Sequence, residues 1–537
     1  MSSNIEQPDV IVVGAGHNGL VCAGYLAKSG LSVTVLERRS VTGGLAATRE
    51  FMPGYFSSIT NSPGSLEPKI VADFALHDHG LTFVRPDPTL VHGLEDGRVF
   101  VGWRDRTLTD AQLEAFAPGE AARYQAVFDY LNWFAERLAI SVYREPPTLQ
   151  DLVRNLRSVE EEEAFSRIFF GSVRDLFEHF GLARETQAIM GPLSVVSGLV
   201  GPSTPGTPFN LMMRPISLAS ATDLDKDDPR RMPLRGSTGL AIGGMGAIAA
   251  ALERSVEALG VRIVRDAPVV RIIEDPGGGP ISVELDDGRV FRAKTVVSAL
   301  HPHLSVAAVQ SERPEWVDLK QAMARTRASG SAFKIVLALG EMPRYAAAAD
   351  DTEARQLAAA QLRIAPSLDY LDACHGDMLR GVFPERPLIW GLCHSMTSPQ
   401  MAPAGKHLLS LNLGGIPHRG GGPARAIDRD AVVRRVVDVM AEWIPNLPAV
   451  VENYACFDAA EFEAEYGLFG ANIAHLDMMP RQQFWMRPLP HLHRYRTPTP
   501  GLYLSGVGTW PGNYYSGLPG HNTSRAVLAD RAAALAA

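Results

Sequence analysis

Residues 9–13, DVIVV, form an unbroken β-branched run that stops at a glycine, the pattern of a parallel strand buried on both faces. Ala23 and Leu26 then fall on one helix face, Gly30 ends that helix, and VTVLE at 33–37 makes the next strand. The theme returns in 239–300. There GLAIGGMGAIAAALERSVEALG reads as a Gly-rich turn and an amphipathic helix, with Ala249, Leu252, Val256 and Leu259 at helical spacing. VRIVRDAPVVRIIED follows as two strands, and ISVELDDGRVFRAKTVVSAL as a hairpin around Asp287-Gly288. GLYLS at 501–505 is a last strand. A last helix starts near GLPG, with Asn522 and Thr523 expected as its capping groups.

The pattern between these stretches differs. Helical periodicity runs through YQAVFDYLNWFAERL (124–138) and EEEAFSRIFFGSVRDLFEHF (161–180), and GPSTPGTPF (201–209) interrupts it. A strand-like SAFKIVLALG (331–340) and a helix RDAVVRRVVDVMAEWI (429–444) come later. A chain of 537 residues exceeds what one core organises. The expected architecture is α/β: a nucleotide-binding domain split over 1–85, 230–310 and 498–537, with an α+β substrate or cap domain inserted as 86–229 and 311–497.

Composition narrows the class. The chain is 46% hydrophobic and 20% charged, with a net charge of −8, which argues against a nucleic-acid partner. Cys22, Cys374, Cys393 and Cys456 form no CxxC pair and read as buried thiols in a reducing compartment. The first residues lack a signal-peptide pattern, and no run approaches the roughly 18 apolar residues of a membrane span. A cytoplasmic location is expected, with peripheral membrane contact left open.

The chemistry begins at GAGHNG, after the first strand. Gly14 permits the tight turn, Gly16 lets backbone approach a diphosphate, and Gly19 lets the helix pack on the strand. The helix start offers free N–H groups and a positive dipole end to the phosphates. Glu37, closing the second strand, stands where a carboxylate accepts ribose hydroxyls. His17 reads as a surface residue of the turn. A second glycine pair, Gly43-Gly44, looks like the extended flavoprotein motif, in which Arg38 flanks the adenosine end and the loop from Leu45 runs toward the flavin. FAD is expected rather than NAD.

The segment SGVGTWPGNYYSGLPGH (505–521) holds five glycines, yet also Trp510, Tyr514 and Tyr515. Glycines such as Gly506, Gly508, Gly512 and Gly517 would let backbone reach the cofactor. A helix start aimed at the flavin N1–C2=O edge would stabilise the charge of its reduced form. Tyr514 and Tyr515 either flank the ring and orient substrate or exchange a proton, or pack the domain junction. His301 and His303 make an HxH pair without a third ligand nearby, so no metal is expected. Lys334 lies on a strand, where lysines usually face solvent; turned to a flavin cavity, it would hold a water near N5.

These motifs, with SLEPKIVADFALHDHGL (65–81), GGMGAIAAAL (243–252) and RTPTPGLYLSGVGTWPG (496–512), resemble the phytoene-desaturase-type flavoproteins in the same order from end to end. Within that family they look like the branch called pyridine nucleotide-disulphide oxidoreductase domain-containing protein 2. The resemblance implies a Rossmann-like FAD domain of the glutathione-reductase type and a cap enclosing an apolar tunnel. It implies FAD contacts from Gly14, Ala15, Gly16, Asn18 and Gly19, then Gly43, Gly44 and Leu45, then Gly506, Gly508, Gly517 and Leu518, with Val269 backbone beside the adenine. Without a CxxC pair, disulphide reduction is set aside. Where the family reads HPGGGV this chain has WPGNYY, whose bulk argues against a polyene-sized substrate.

The expected activity is removal of a hydride from a carbon of a small or medium apolar or amphipathic substrate, passed to flavin N5. With no second GxGxxG for NAD(P)H, oxygen or a quinone is the expected acceptor. A redox-neutral isomerase or an amine oxidase is the alternative. Intact phosphate-binding glycines weigh against a non-catalytic binding protein. The sequence leaves the oligomeric state open.

Overall fold

The computed structural model describes residues 7–61, 66–196, 198–220, 239–329, 331–416, 418, 427–512 and 515–536, and every statement below concerns these residues. Tyr514 and the expected 229/230 domain boundary lie outside them.

The nucleotide-binding half is built on β1 (Val10–Val13), α1 (His17–Lys28), β2 (Val33–Leu36), α2 (Met245–Ala258), β3 (Arg262–Val264), β4 (Thr295–Ser298), β5 (Leu502–Leu504) and α3 (Leu518–Ala536). The strands form a parallel sheet in the order β5-β4-β1-β2-β3, with Val10 opposite both Thr295 and Val33. β1 is apolar at every position because both of its faces are covered. Val10 and Val12 pack toward the helices, with Leu20, Leu252 and Val527. Ile11 and Val13 pack on a smaller sheet, with Ile272, Val283 and Phe291. That smaller sheet contains the hairpin read from Asp287-Gly288, turning through Gly288 at φ +86°.

The cap is organised by a seven-stranded sheet in the spatial order 451–457, 331–339, 407–416, 389–393, 361–364, 90–93, 99–102. Strands from both inserted pieces therefore share one sheet, joined by parallel pairing of Leu90–Gly93 with Gln361–Ile364. One face is closed by helix Arg429–Met440, which buries Val432, Val433, Val436 and Met440 against Ile335, Leu411 and Leu362. A helical layer that includes Glu120–Leu138 and Phe209–Ser220 packs with Leu90, Phe100 and Trp390 of the sheet.

Two expectations change. The periodic run 161–180 is not one helix. It divides into Val159–Phe169 and Val173–His179, because Ser172 and Asp175 form a reciprocal capping box that starts the second helix. Helix Pro314–Ala324, beyond the expected boundary at 310, packs Trp316, Leu319 and Met323 against the nucleotide-binding half. Among the described residues no helix is long and apolar enough to cross a membrane.

Candidate functional site

After β1 the chain turns through Gly14, at φ +98°, into α1. A Cβ on Gly19 would lie 2.0 Å from the Gly14 carbonyl oxygen, so turn and helix touch through bare backbone. A Cβ on Gly16 would meet nothing within 4 Å, because Gly16 opens onto a cleft of about 480 Å³. The second glycine pair closes over this turn. Gly43, at φ +99°, donates its N–H to the Ala15 carbonyl at 2.9 Å, and Gly44 also has a positive φ.

Glu37 is buried at the end of β2. Its Oε2 accepts the Ala15 N–H at 2.8 Å and its Oε1 accepts the Arg39 N–H at 3.0 Å. Each oxygen keeps a lone pair for a ribose hydroxyl. Glu37, Arg38 and Val269, the residues expected beside the adenosine, line the cleft. Its middle is lined by Gly14, Gly16, Asn18, Gly19, Gly43 and Gly44. Leu45, Gly506 and Tyr515 lie along the remainder.

Four expected contact residues do other work. Ala15 is not on the cleft wall; it ties Glu37 to Gly43 through its two backbone groups. Gly508 leaves room for Pro302, from which a Cβ would be 2.2 Å. Gly517 turns at φ +79° against Val21, Leu66 and Ile70, and Leu518 is fully buried in the helical core of the cap. Asn522 and Thr523 are not caps either. They lie inside α3, where Asn522 Nδ2 donates to the Val142 carbonyl and Thr523 Oγ1 to the Pro519 and Leu504 carbonyls. The start of α3 nevertheless meets the start of α1, since a Cβ on Gly520 would lie 2.2 Å from the Asn18 carbonyl.

The end opposite the adenosine is aromatic. His17, expected on the surface, lines the cleft and stacks on Tyr515, with centroids 3.9 Å apart. The Tyr515 hydroxyl is buried without a partner, and burial pushes its pKa up, so it stays protonated. His301 accepts the His303 N–H on Nδ1 and donates from Nε2 to the His475 carbonyl at 2.8 Å, the neutral tautomer. His475 lines the same end with Nδ1 unpartnered, and burial pushes it down to about 3. These unsatisfied groups and the open space at Gly16 suit a bound cofactor.

Lys334 also departs from expectation. Rather than facing solvent it is completely buried, donating from Nζ to Asn61 Oδ1 at 2.8 Å and to Ser410 Oγ at 2.6 Å. Burial holds the amine well below the usual lysine range. His394, 3.3 Å from Asn61 Oδ1, is pushed down to about 3 by burial and by the neighbouring lysine. Thr60 lines the cleft and Asn61 follows it, which sets the lysine behind that wall.

Arg39 and Tyr466 are among the cleft residues that escaped the sequence reading. Arg39 lines the wall, lies 4.8 Å over the Tyr466 ring and sits 3.4 Å from the Gly44 carbonyl. Arg-Arg at 38–39 was the available signal. Tyr466 comes from a cap helix far along the chain, and nothing local marks it.

The parallel sheet, the glycine turn and the anchored Glu37 define an FAD-binding Rossmann-like fold, and the protein is an FAD-dependent oxidoreductase. Residues 19–517 match the model of the flavin containing amine oxidoreductases, and the chain belongs to that family. It is 26% identical to rat (Rattus norvegicus) pyridine nucleotide-disulfide oxidoreductase domain-containing protein 2, over 97% of this chain and 93% of that one. It is also 26% identical to hydroxyneurosporene desaturase of Cereibacter sphaeroides, over 98% of both. The structure of putrescine oxidase bound to putrescine has the same fold, with a TM-score of 0.63, 16% identity and coverage of 98% of this chain and 99% of that one.

Proposed function

We propose that this enzyme removes a hydride from a carbon of a small or medium apolar or amphipathic substrate, held between the cap sheet and the aromatic end of the cleft. When bound, FAD supplies the hydride acceptor. The observation that carries the reading is Lys334, completely buried in a cap strand with its Nζ held by Asn61 and Ser410, where burial lowers the pKa of the amine. A neutral amine accepts a proton, and Asn61 and Ser410 fix the direction in which it does so. Tyr515, whose hydroxyl stays protonated, lines the same cleft and supports the reading as a hydrogen-bond donor to substrate. Oxygen or a quinone is the proposed acceptor, in a cytoplasmic setting.

Anaerobic mixing with a panel of candidate donors, followed at the oxidised-flavin absorption bands, tests this. Bleaching by one donor class identifies the substrate. With that donor, Lys334→Met retains FAD and slows bleaching about 10²- to 10³-fold. The wild-type rate rises with pH and levels off once the amine is deprotonated. Equal rates in Lys334→Met and wild type would remove the lysine from the mechanism.

A further inference from the structure

Residues directly opposite each other in neighbouring strands project from the same face of a sheet. In the cap sheet one such row reads Lys334, Asn412, Trp390, Arg363, His92. The residues beside this row, Ile335, Leu411 and Leu362, face the opposite, apolar core. Lys334 and Arg363 are thus three strands apart on one surface, roughly 14 Å at about 4.8 Å per strand. Asn412 and Trp390 lie between them. Both are partly exposed, whereas Lys334, Arg363 and His92 at the two ends of the row are buried.

At the far end of the row Arg363 is 7% exposed, and its Nε and NH1 groups have no hydrogen-bond partner. Its NH2 reaches Gln361 Oε1 at 3.3 Å, and the guanidinium lies 4.5 Å over the Trp390 ring. Among the described residues it makes no ion pair. A guanidinium keeps its charge, so this is a buried cation lacking a counter-anion, which folded proteins avoid. Two more unmet polar atoms belong to its neighbourhood. His92, fully buried, donates from Nε2 to the Ala365 carbonyl at 3.1 Å and leaves Nδ1 unpartnered. The Tyr124 hydroxyl, on helix Glu120–Leu138, which packs on this side of the sheet, is also buried and unpartnered among the described residues.

We propose that Arg363 is the anion-binding end of the substrate cavity and that the substrate carries a carboxylate. This rests on the hydride-transfer reading, with Lys334 at the reacting end of the row. The adjacent Nε and NH1 donors match the two oxygens of one carboxylate, and Tyr124 supplies a third donor. His92 Nδ1 remains as an acceptor for an O–H or N–H beside it. The Trp390 face carries the apolar part of the ligand toward Lys334. A substrate ending in an ammonium group would meet a like charge here.

Calorimetric titration of the FAD-loaded enzyme with octanoate, octanamide and chloride tests the site. Octanoate binds at least about tenfold more tightly than octanamide. Arg363→Met weakens octanoate by about 10- to 150-fold and leaves octanamide within about twofold, the range for hydrogen bonds to a charged group. Tyr124→Phe, which removes one hydroxyl, weakens octanoate by about 2- to 12-fold and decides the matter if Arg363→Met does not fold. Equal affinity for octanoate and octanamide, or an Arg363-dependent site that takes chloride with no gain from the alkyl chain, overturns the proposal. Arg363-dependent octanoate binding in an enzyme whose flavin no donor bleaches supports this site and removes only the hydride-transfer reading.

Discussion

Gly16 and Gly19 belong to the same motif and fail differently when substituted. A methyl at 16 enters the cleft with no protein atom within 4 Å, so the Gly16→Ala apoprotein stays within about 0.5 kcal/mol of wild type while its flavin content falls. Alanine at 19 places a methyl against the Gly14 carbonyl, so Gly19→Ala loses both flavin and thermal stability. Absorbance at the flavin band and a melting curve separate the two, and parallel losses in both variants would refute the distinction. At this scale the glycines and Glu37 were legible, because backbone geometry restricts which residue fits. Lys334 and His17 were not: burial of a lysine amine or an imidazole depends on what folds over it, from residues such as Asn61, Ser410 and Tyr515.

Helix limits follow the same division. The periodicity of 161–180 is continuous in apolar spacing, yet the Ser172–Asp175 capping box restarts the helix there. Ser172→Ala removes that cap and costs about 1 kcal/mol, visible as earlier urea unfolding by circular dichroism with flavin content unchanged. An unaltered midpoint would show that the helix start is held by packing alone. The C-terminal loop resolves its mixture of glycines and aromatics in a similar way. Gly506 and Gly508 pass close to Ala299 and Pro302, while Trp510, fully buried 5.1 Å from the Phe484 ring, plugs into the cap's helical core. One loop serves both halves, which is why it needs both residue types.

Across the whole molecule, buried histidines tie stability to pH. His92 and His394 are both buried and held at about 3, against an ordinary value of 6.5. The unfolded chain takes up their protons below pH 6.5, while the folded protein resists until about 3. Their contribution is therefore complete above 6.5 and lost progressively as pH falls toward 3, at up to about 1.4 kcal/mol per group per pH unit. Urea midpoints at pH 7 and pH 5 check this, and His92→Gln with His394→Gln reduces the difference, the remainder coming from other buried histidines such as His475. An equal midpoint at both pH values in wild type would contradict it.

The chain alone determined the nucleotide-binding half, since a buried parallel strand, a glycine turn and a carboxylate closing the next strand leave local signatures in the sequence. It also determined the cofactor class, through the order and spacing of those signatures. Only the tertiary structure decided which polar side chains are buried. Lys334, Arg363 and His92 are brought into one row by the register of strands that are distant in sequence. Strand pairing is a long-range choice with no local mark, and burial, which turns an ordinary lysine or arginine into a chemical group with a role, follows from it.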